Sequence, residues 1–221
     1  MISVKNLNKY YNKGLSNELH VLQDVSLKIE DGSMAAIVGK SGAGKSTLLH
    51  ILGAIDAFDS GTVVIGDTAL QDADEKQRAA FRNRSVGFVM QDFALIPDFS
   101  TIENVMLPLL FQRMPKKLRV ELAMKALERV GLRSFAKNPI TQLSGGEKQR
   151  VAIARAIVTQ PSYLLADEPT GALDSKTAGE LMGLLVELNR GGMTIIIITH
   201  DESIAAYCQR VLTIADGKVR E

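Results

Sequence analysis

A single cysteine, Cys208, stands in 221 residues. That excludes an internal disulfide framework and any multi-cysteine metal site, and it fits a reduced compartment. Charge excess is also missing. The net charge of +1 implies no broad nucleic-acid footprint. Long apolar runs are absent as well. "TIIIIT" and "VMLPLLF" fall far short of the ~20 residues that span a bilayer, so a soluble chain is expected, one that meets a membrane through a partner. The opening "MISVKNLNKYY" has neither an apolar core nor a cleavage pattern, so no signal peptide is expected. Internal repeats and low-complexity tracts are missing too.

What remains is an ordinary globular composition, with 46% hydrophobic and 23% charged residues. The first third reads as β: "ISVKNL", then "LHVLQDVSLKI" with alternating apolar positions, then "SMAAIVG". A helix follows from Lys45 to about Ala54. Two further strands, "GTVVIG" and "SVGFVM", flank a polar helix in "DADEKQRAAFRNR". From about Asp92 to Gln160 strand signals vanish, and three helices are expected in "TIENVMLPLLFQRM", "KKLRVELAMKALERVGL" and "GEKQRVAIARAIVTQ". In the third, Val151, Ala154, Ile157 and Val158 share one face. Strands return in "SYLLAD", "MTIIIIT" and "RVLTIADGKV", with a helix from Ser175 to about Arg190. Near-continuous apolar strands indicate a parallel sheet covered on both faces. The expectation is one α/β domain over 1–221. Its core is 1–91 and 161–221, and a mostly helical segment is inserted at about 92–160.

Gly39, Gly44, Lys45 and Ser46 satisfy G-x-x-x-x-G-K-[ST] in "GKSGAGKST", between the strand-like "AAIV" and the helix-like "TLLHIL". Glycines let backbone N–H groups curl around phosphate oxygens, and the helix N-terminus adds partial positive charge. Lys45 would reach the β- and γ-phosphates, and Ser46 would hold Mg²⁺. At average residue frequencies a chance match in this length is about one in a hundred.

"YLLADE" supplies a carboxylate, Asp167, at the end of an apolar strand, where it can hold Mg²⁺ through water. Glu168 points differently because strand side chains alternate, which makes it the natural general base for an attacking water. "IITHD" ends another strand in His200. A lone histidine there is usually structural. In the same parallel sheet it would face the nucleotide and could hold the water or Glu168. Gln91, after "VGFVM", could contact Mg²⁺ and the water, or act as a hinge for the insertion.

"LSGGEKQR" opens a second helix. Ser144 and Glu147 fit a capping box, which leaves Gly145 and Gly146 unexplained, since glycine is a poor first-turn residue. Close approach of a nucleotide to the backbone would explain both.

Taken in order, "GKSGAGKST", Gln91, "LSGGEKQR", "YLLADEPTGALD" and "THD" resemble the ATP-binding subunit of ABC transporters, over essentially the whole chain. That resemblance implies a P-loop NTPase core with a mostly parallel sheet, an N-terminal antiparallel β portion and an inserted helical subdomain. It implies that the loop Gly39, Lys40, Ser41, Gly42, Ala43, Gly44, Lys45, Ser46, Thr47 binds ATP with Mg²⁺. It also implies a head-to-tail homodimer, in which Ser144, Gly145, Gly146 and Glu147 meet the ATP held by the other copy. Tyr11, with Tyr10 as the neighbouring alternative, matches the aromatic that stacks on adenine. Asp174 matches a segment crossing the dimer interface. An integral membrane permease is the implied partner, docked on the helical segment around "DFALIPDFSTIENV", with the chain peripheral on the cytoplasmic face of the inner membrane. "GALD", "NVMLPLL" and "LSGGE" look most like the subgroup serving macrolide export, lipoprotein release and antimicrobial-peptide resistance. Relatives that regulate cell-wall hydrolysis through a membrane partner share the same motifs, so a switch without transport is the alternative.

Overall fold

The computed structural model describes residues 1–220. Strands β1 (Ile2–Tyr11) and β2 (Leu19–Ile29) lead into β3 (Met34–Val38) and helix α1 (Lys45–Leu52). Next come β4 (Ser60–Ile65), β5 (Thr68–Ala69), α2 (Glu75–Ser85) and β6 (Val86–Val89). Helices α3 (Thr101–Leu110), α4 (Lys116–Arg129) and α5 (Gly145–Ile157) fill the middle. The chain continues through β7 (Tyr163–Asp167), α6 (Ser175–Arg190), β8 (Thr194–Ile198), the one-turn α7 (Glu202–Ala205), β9 (Arg210–Ala215) and β10 (Lys218–Arg220).

Two sheets form. An antiparallel one has the order β2-β1-β4-β5, and a mixed one has the order β10-β9-β3-β8-β7-β6. Every pairing in the second is parallel except β9 with β10. The all-apolar strands alternate between two cores. Ile195 and Ile197 of β8 face the cluster that holds the helical segment, while Ile196 and Ile198 face the cluster with α1 and the antiparallel sheet. β7 splits the same way, with Leu164 and Ala166 on one side and Tyr163 and Leu165 on the other. Coverage on both faces is why these strands carry no polar alternation.

Helix starts are set by short polar side chains. Asp74 with Gln77, Ser100 with Glu103 and Ser144 with Glu147 form capping boxes, and Asp174 caps α6. One expectation needs correction. "RVLTIADGKV" is not one strand: Asp216 and Gly217 both take positive φ, 50° and 73°, and turn the chain into the β9–β10 hairpin. Helix α5 buries the expected face, with Val151, Ala154, Ile157 and the following Val158 all in the core. Ala152, Ile153 and Ala156 are buried along with the expected face, because α5 packs on α3 and α4 and also against β6.

Candidate functional site

Strands β3, β8, β7 and β6 are neighbours and parallel, so their C-terminal ends lie along one edge. Each end delivers a functional side chain there: the glycine loop after β3, His200 after β8, Asp167 and Glu168 at β7, and Gln91 after β6. A cleft of about 470 Å³ opens at that edge, and Ser41, Gly42, Gly44, Lys45, Ser46 and Thr47 line it together with Gln91, Asp167, Glu168 and His200. Tyr11, Leu19 and Val21 of the antiparallel sheet form its far wall. Leu19 and Val21 carried no signal beyond strand alternation.

The loop is built for an anion. Gly44 sits at φ 99° as the N-cap of α1, a conformation glycine adopts without steric cost. Helix α1 has no side-chain cap and no acidic residue in its first turn, so its N-terminal dipole stays open to a ligand. Gly39 is needed for space, since a Cβ there would lie 2.3 Å from the Ile214 carbonyl oxygen. Lys45 is buried, and its Nζ donates to the Gly39 and Lys40 carbonyls at 2.9 Å each. Gly39, Lys40 and Ala43 line an adjoining cavity beside the β9–β10 hairpin, which shares Leu19, Val21, Ser41 and Gly42 with the cleft.

Glu168 adopts φ 47°, in the left-handed region, and its N–H donates to the Ile198 carbonyl at 2.9 Å. This bend sets its carboxylate against His200, whose Nδ1 is 2.8 Å from one carboxylate oxygen and 2.6 Å from the other. The imidazole is mostly exposed, while the glutamate side chain is only 18% exposed. A left-handed glutamate costs ~1–2 kcal/mol, and such strain persists where surrounding contacts over-determine it. Gln91 lies against the following turn, with a Cβ on Gly171 falling 3.1 Å from its Nε2.

Ser46, Gln91 and Asp167 bring three oxygen donors to the same cleft. Among the described residues no cluster of three His, Cys, Asp or Glu could cage a metal. That donor set fits Mg²⁺, which keeps waters and substrate phosphates as ligands and takes few from the protein.

Tyr11, and not Tyr10, lines the cleft. Its hydroxyl donates to Asp56 at 2.7 Å, and Lys9 Nζ sits 4.7 Å from its ring centroid. Tyr10 is stacked on His20 at 3.9 Å between centroids. Burial would raise the Asp56 pKa, but hydrogen bonds from Lys9 and Tyr11 outweigh it and hold the carboxyl below its ordinary value.

Ser144, Gly145, Gly146, Glu147 and Asp174 lie outside this cleft. The expected capping box is present, with Ser144 N donating to the Glu147 carboxylate at 2.8 Å and Glu147 N to Ser144 Oγ at 3.3 Å. Asp174 accepts from Thr177 N at 3.0 Å and from Thr177 Oγ1 at 2.6 Å. Three residues without a sequence signal complete the surroundings. Gln149 is fully buried and donates to the Pro169 carbonyl at 2.7 Å, just beyond Glu168. Asn104, also fully buried, bonds the backbone of Ile96, Phe99 and Ser100. Arg155 bonds Phe93 and Ala94. The partners of Gln149 and Arg155 are backbone groups that only folding brings near.

The sequence profile of the ABC transporter family matches residues 22–171. The lipoprotein-releasing system ATP-binding protein LolD of Syntrophus aciditrophicus is 46% identical over 220 residues, which is 99% of this chain and 98% of the relative. YvrO of Bacillus subtilis, an uncharacterized ABC transporter ATP-binding protein, is 43% identical over 99% of this chain and 95% of its own. Among solved structures, the dimer of MJ0796, a bacterial ABC transporter cassette, superposes with a TM-score of 0.91 at 41% identity, covering 100% of this chain and 97% of that one. The same cassette in a dimeric post-hydrolysis state, bound to ADP and Pi, gives 0.91 at 40% identity with the same coverage. With the glycine loop, Gln91, Asp167, Glu168 and His200 gathered at one sheet edge and relatives aligned end to end, the chain belongs to the ABC transporter family, as one of its ATP-hydrolysing cassettes.

Proposed function

We propose that this cassette powers a separate membrane permease that extracts or exports a lipophilic or peptide substrate, with lipoprotein release as the first candidate. The observation that carries the reading is the convergence of Lys45, Ser46, Gln91, Asp167, Glu168 and His200 on one cleft, while the Ser144–Glu147 helix start lies elsewhere. A site whose last phosphate-binding element is outside its own cleft is completed by a second copy, and a two-fold pair completes both sites at once. The LolD relatives point to the substrate class.

In this reading Tyr11 stacks on adenine, and the loop from Gly39 to Thr47 holds the phosphates. Ser46, Gln91 and Asp167 hold Mg²⁺, which supplies charge neutralisation at the phosphates when bound. Glu168 accepts the proton of the attacking water, and His200 holds that carboxylate in place. Asp174 sits at the interface of the two copies. No helix among the described residues is long and apolar enough to cross a membrane, and in this reading the chain sits peripherally on the cytoplasmic face through its permease. The permease's cytoplasmic segment would dock beside the helical segment. There Phe88, Met90, Pro108 and Phe111 line an apolar groove of about 480 Å³.

The test is reconstitution. The Glu168→Gln chain is purified from membranes with ATP and its integral partner identified. The wild-type pair is then placed in liposomes carrying an acylated protein. Release that requires both ATP and Lys45 supports export. ATP turnover without movement of acylated protein or peptide overturns it in favour of mechanical signalling.

A further inference from the structure

Beyond the cleft, the most unusual backbone near the reacting groups is the turn just after Gln91. Phe93 and Ala94 both take positive φ, 62° and 45°. Neither is glycine, and each such residue costs ~1–2 kcal/mol. Two in succession relax unless something holds them. One side chain does. Arg155, in the last turn of α5, donates from Nη1 to the Ala94 carbonyl at 2.5 Å and from Nη2 to the Phe93 carbonyl at 2.8 Å. Successive left-handed residues turn their carbonyls toward one side, and the two prongs of a guanidinium match that pair. A lysine ammonium has no such fork.

Arg155 also borders the apolar groove lined by Phe88, Met90, Pro108 and Phe111. Burial lowers its pKa, and the Asp92 carboxylate opposes that shift. No ion pair of Arg155 within salt-bridge distance is present among the described residues. A partly buried guanidinium with both prongs spent on carbonyls of a strained turn does more than pack. The turn's far side is fixed independently, where Asn104 accepts from Ile96 N at 2.8 Å and donates to the Ile96 carbonyl at 3.1 Å. Between these two anchors and β6 the chain has little slack, and Gln91 is two residues before Phe93.

We infer that Arg155 is a positioning residue for hydrolysis: by clamping the left-handed Phe93–Ala94 turn it holds the Gln91 amide at the reacting end of the cleft. This rests on the reading of Gln91 as a group at the attacking water and Mg²⁺. Lys45 and the glycine loop are independent of the clamp. Loss of the clamp therefore costs turnover and spares ATP affinity.

The experiment uses the full chain. Arg155→Lys keeps the charge and loses the fork. Its kcat is expected to fall tenfold or more, since a misplacement of ~1 Å can cost about 10²-fold, while KM for ATP stays within about twofold of wild type. Adding Ala94→Gly, which removes the steric cost of the turn, restores part of that kcat. A second arm leaves Arg155 intact: Ala94→Val puts a β-branched residue at positive φ, which is strongly disfavoured, and is expected to reproduce the kcat loss. Arg155→Lys with wild-type kcat overturns the inference. So does a kcat loss matched by an equal loss of folded protein and unrelieved by Ala94→Gly, or an Ala94→Val variant with wild-type kcat. If wild type itself fails to turn over ATP, or Gln91→Ala matches wild type in kcat, the reading of the cleft fails instead.

Discussion

The two glycines of the α5 helix start should respond to alanine in opposite ways. A Cβ on Gly146 would lie 2.5 Å from Thr177 Cγ2, whereas one on Gly145 would find Leu173 Cδ2 at 3.8 Å. Carbon atoms prefer ~3.5–4.0 Å, so Gly146→Ala requires about 1 Å of relief. Rotating Thr177 provides it only by breaking the 2.6 Å hydrogen bond from Thr177 Oγ1 to Asp174, which helps set the start of α6. Overpacking of this kind costs ~1–3 kcal/mol. The helix gains up to ~1 kcal/mol from replacing glycine, so a net loss of about 1 kcal/mol is expected. Gly145→Ala meets ordinary contact and should be neutral or stabilising by up to ~1 kcal/mol.

Activity should separate the other way. Packing gives Gly145 no reason to be glycine, and in the proposed dimer its Cβ would project toward the second copy's nucleotide. Gly145→Ala is expected to fold at least as well as wild type and to lose most ATP turnover. Urea unfolding supplies the stabilities, and steady-state hydrolysis supplies kcat and KM. Thr177→Ser completes a double-mutant cycle. It removes the offending methyl and keeps the hydroxyl on Asp174, so Gly146→Ala with Thr177→Ser should recover ~1–2 kcal/mol relative to additivity. A Gly146→Ala chain as stable as wild type, with no coupling to Thr177, refutes the packing argument. Full turnover in Gly145→Ala refutes the close approach.

Glu168→Gln should bind ATP, lose turnover by about 10²–10⁴-fold and accumulate as an ATP-bound dimer in size-exclusion chromatography. Continued hydrolysis by a monomer removes Glu168 as the base. Mixing Ser144→Arg with Lys45→Ala subunits should recover activity above either alone, because one composite site stays intact. A mixture in which neither ATP occlusion nor turnover exceeds the single variants counts against sharing. Burial pushes the Cys208 thiol up to about 11. The folded state therefore favours the neutral thiol, and its contribution to stability is complete below the unfolded value near 9 and lost as pH rises toward 11. Iodoacetamide at pH 8.5 should modify Cys208 slowly in the native chain and quickly in urea. Equal rates would show the thiol is not protected.

Legibility in the sequence followed the range of the physical signal. β2 is bounded by its alternation, and α6 by its helical run from Ser175 to Arg190; both signals lie within a few residues. The parallel sheet was legible as a class from the isoleucine run of β8. Its order β10-β9-β3-β8-β7-β6 was not, since neighbours such as β3 and β8 are far apart in sequence and nothing local encodes their register. β5 pairs over two residues and is too short to carry a period. Arg155 was indistinguishable from any polar helix residue, because its worth lies in two carbonyls some sixty positions earlier.

"LSGGEKQR" shows how far such local reading reaches. Ser144 and Glu147 close their own capping box, Gln149 is spent on the Pro169 carbonyl, and Gly146 makes room for Thr177. Each of the four has a partner or a packing role within one chain, although the buried Gln149 Oε1 has no hydrogen-bond partner, and Gly146 does not need a nucleotide to explain it. Of the two glycines that leaves Gly145, at the first helical position, where a Cβ would meet only an ordinary contact with Leu173 at 3.8 Å. The case for a second copy at this surface therefore rests on fewer residues than the motif suggests. It is sharper for that reason, because a single methyl group at Gly145 tests it without disturbing the fold.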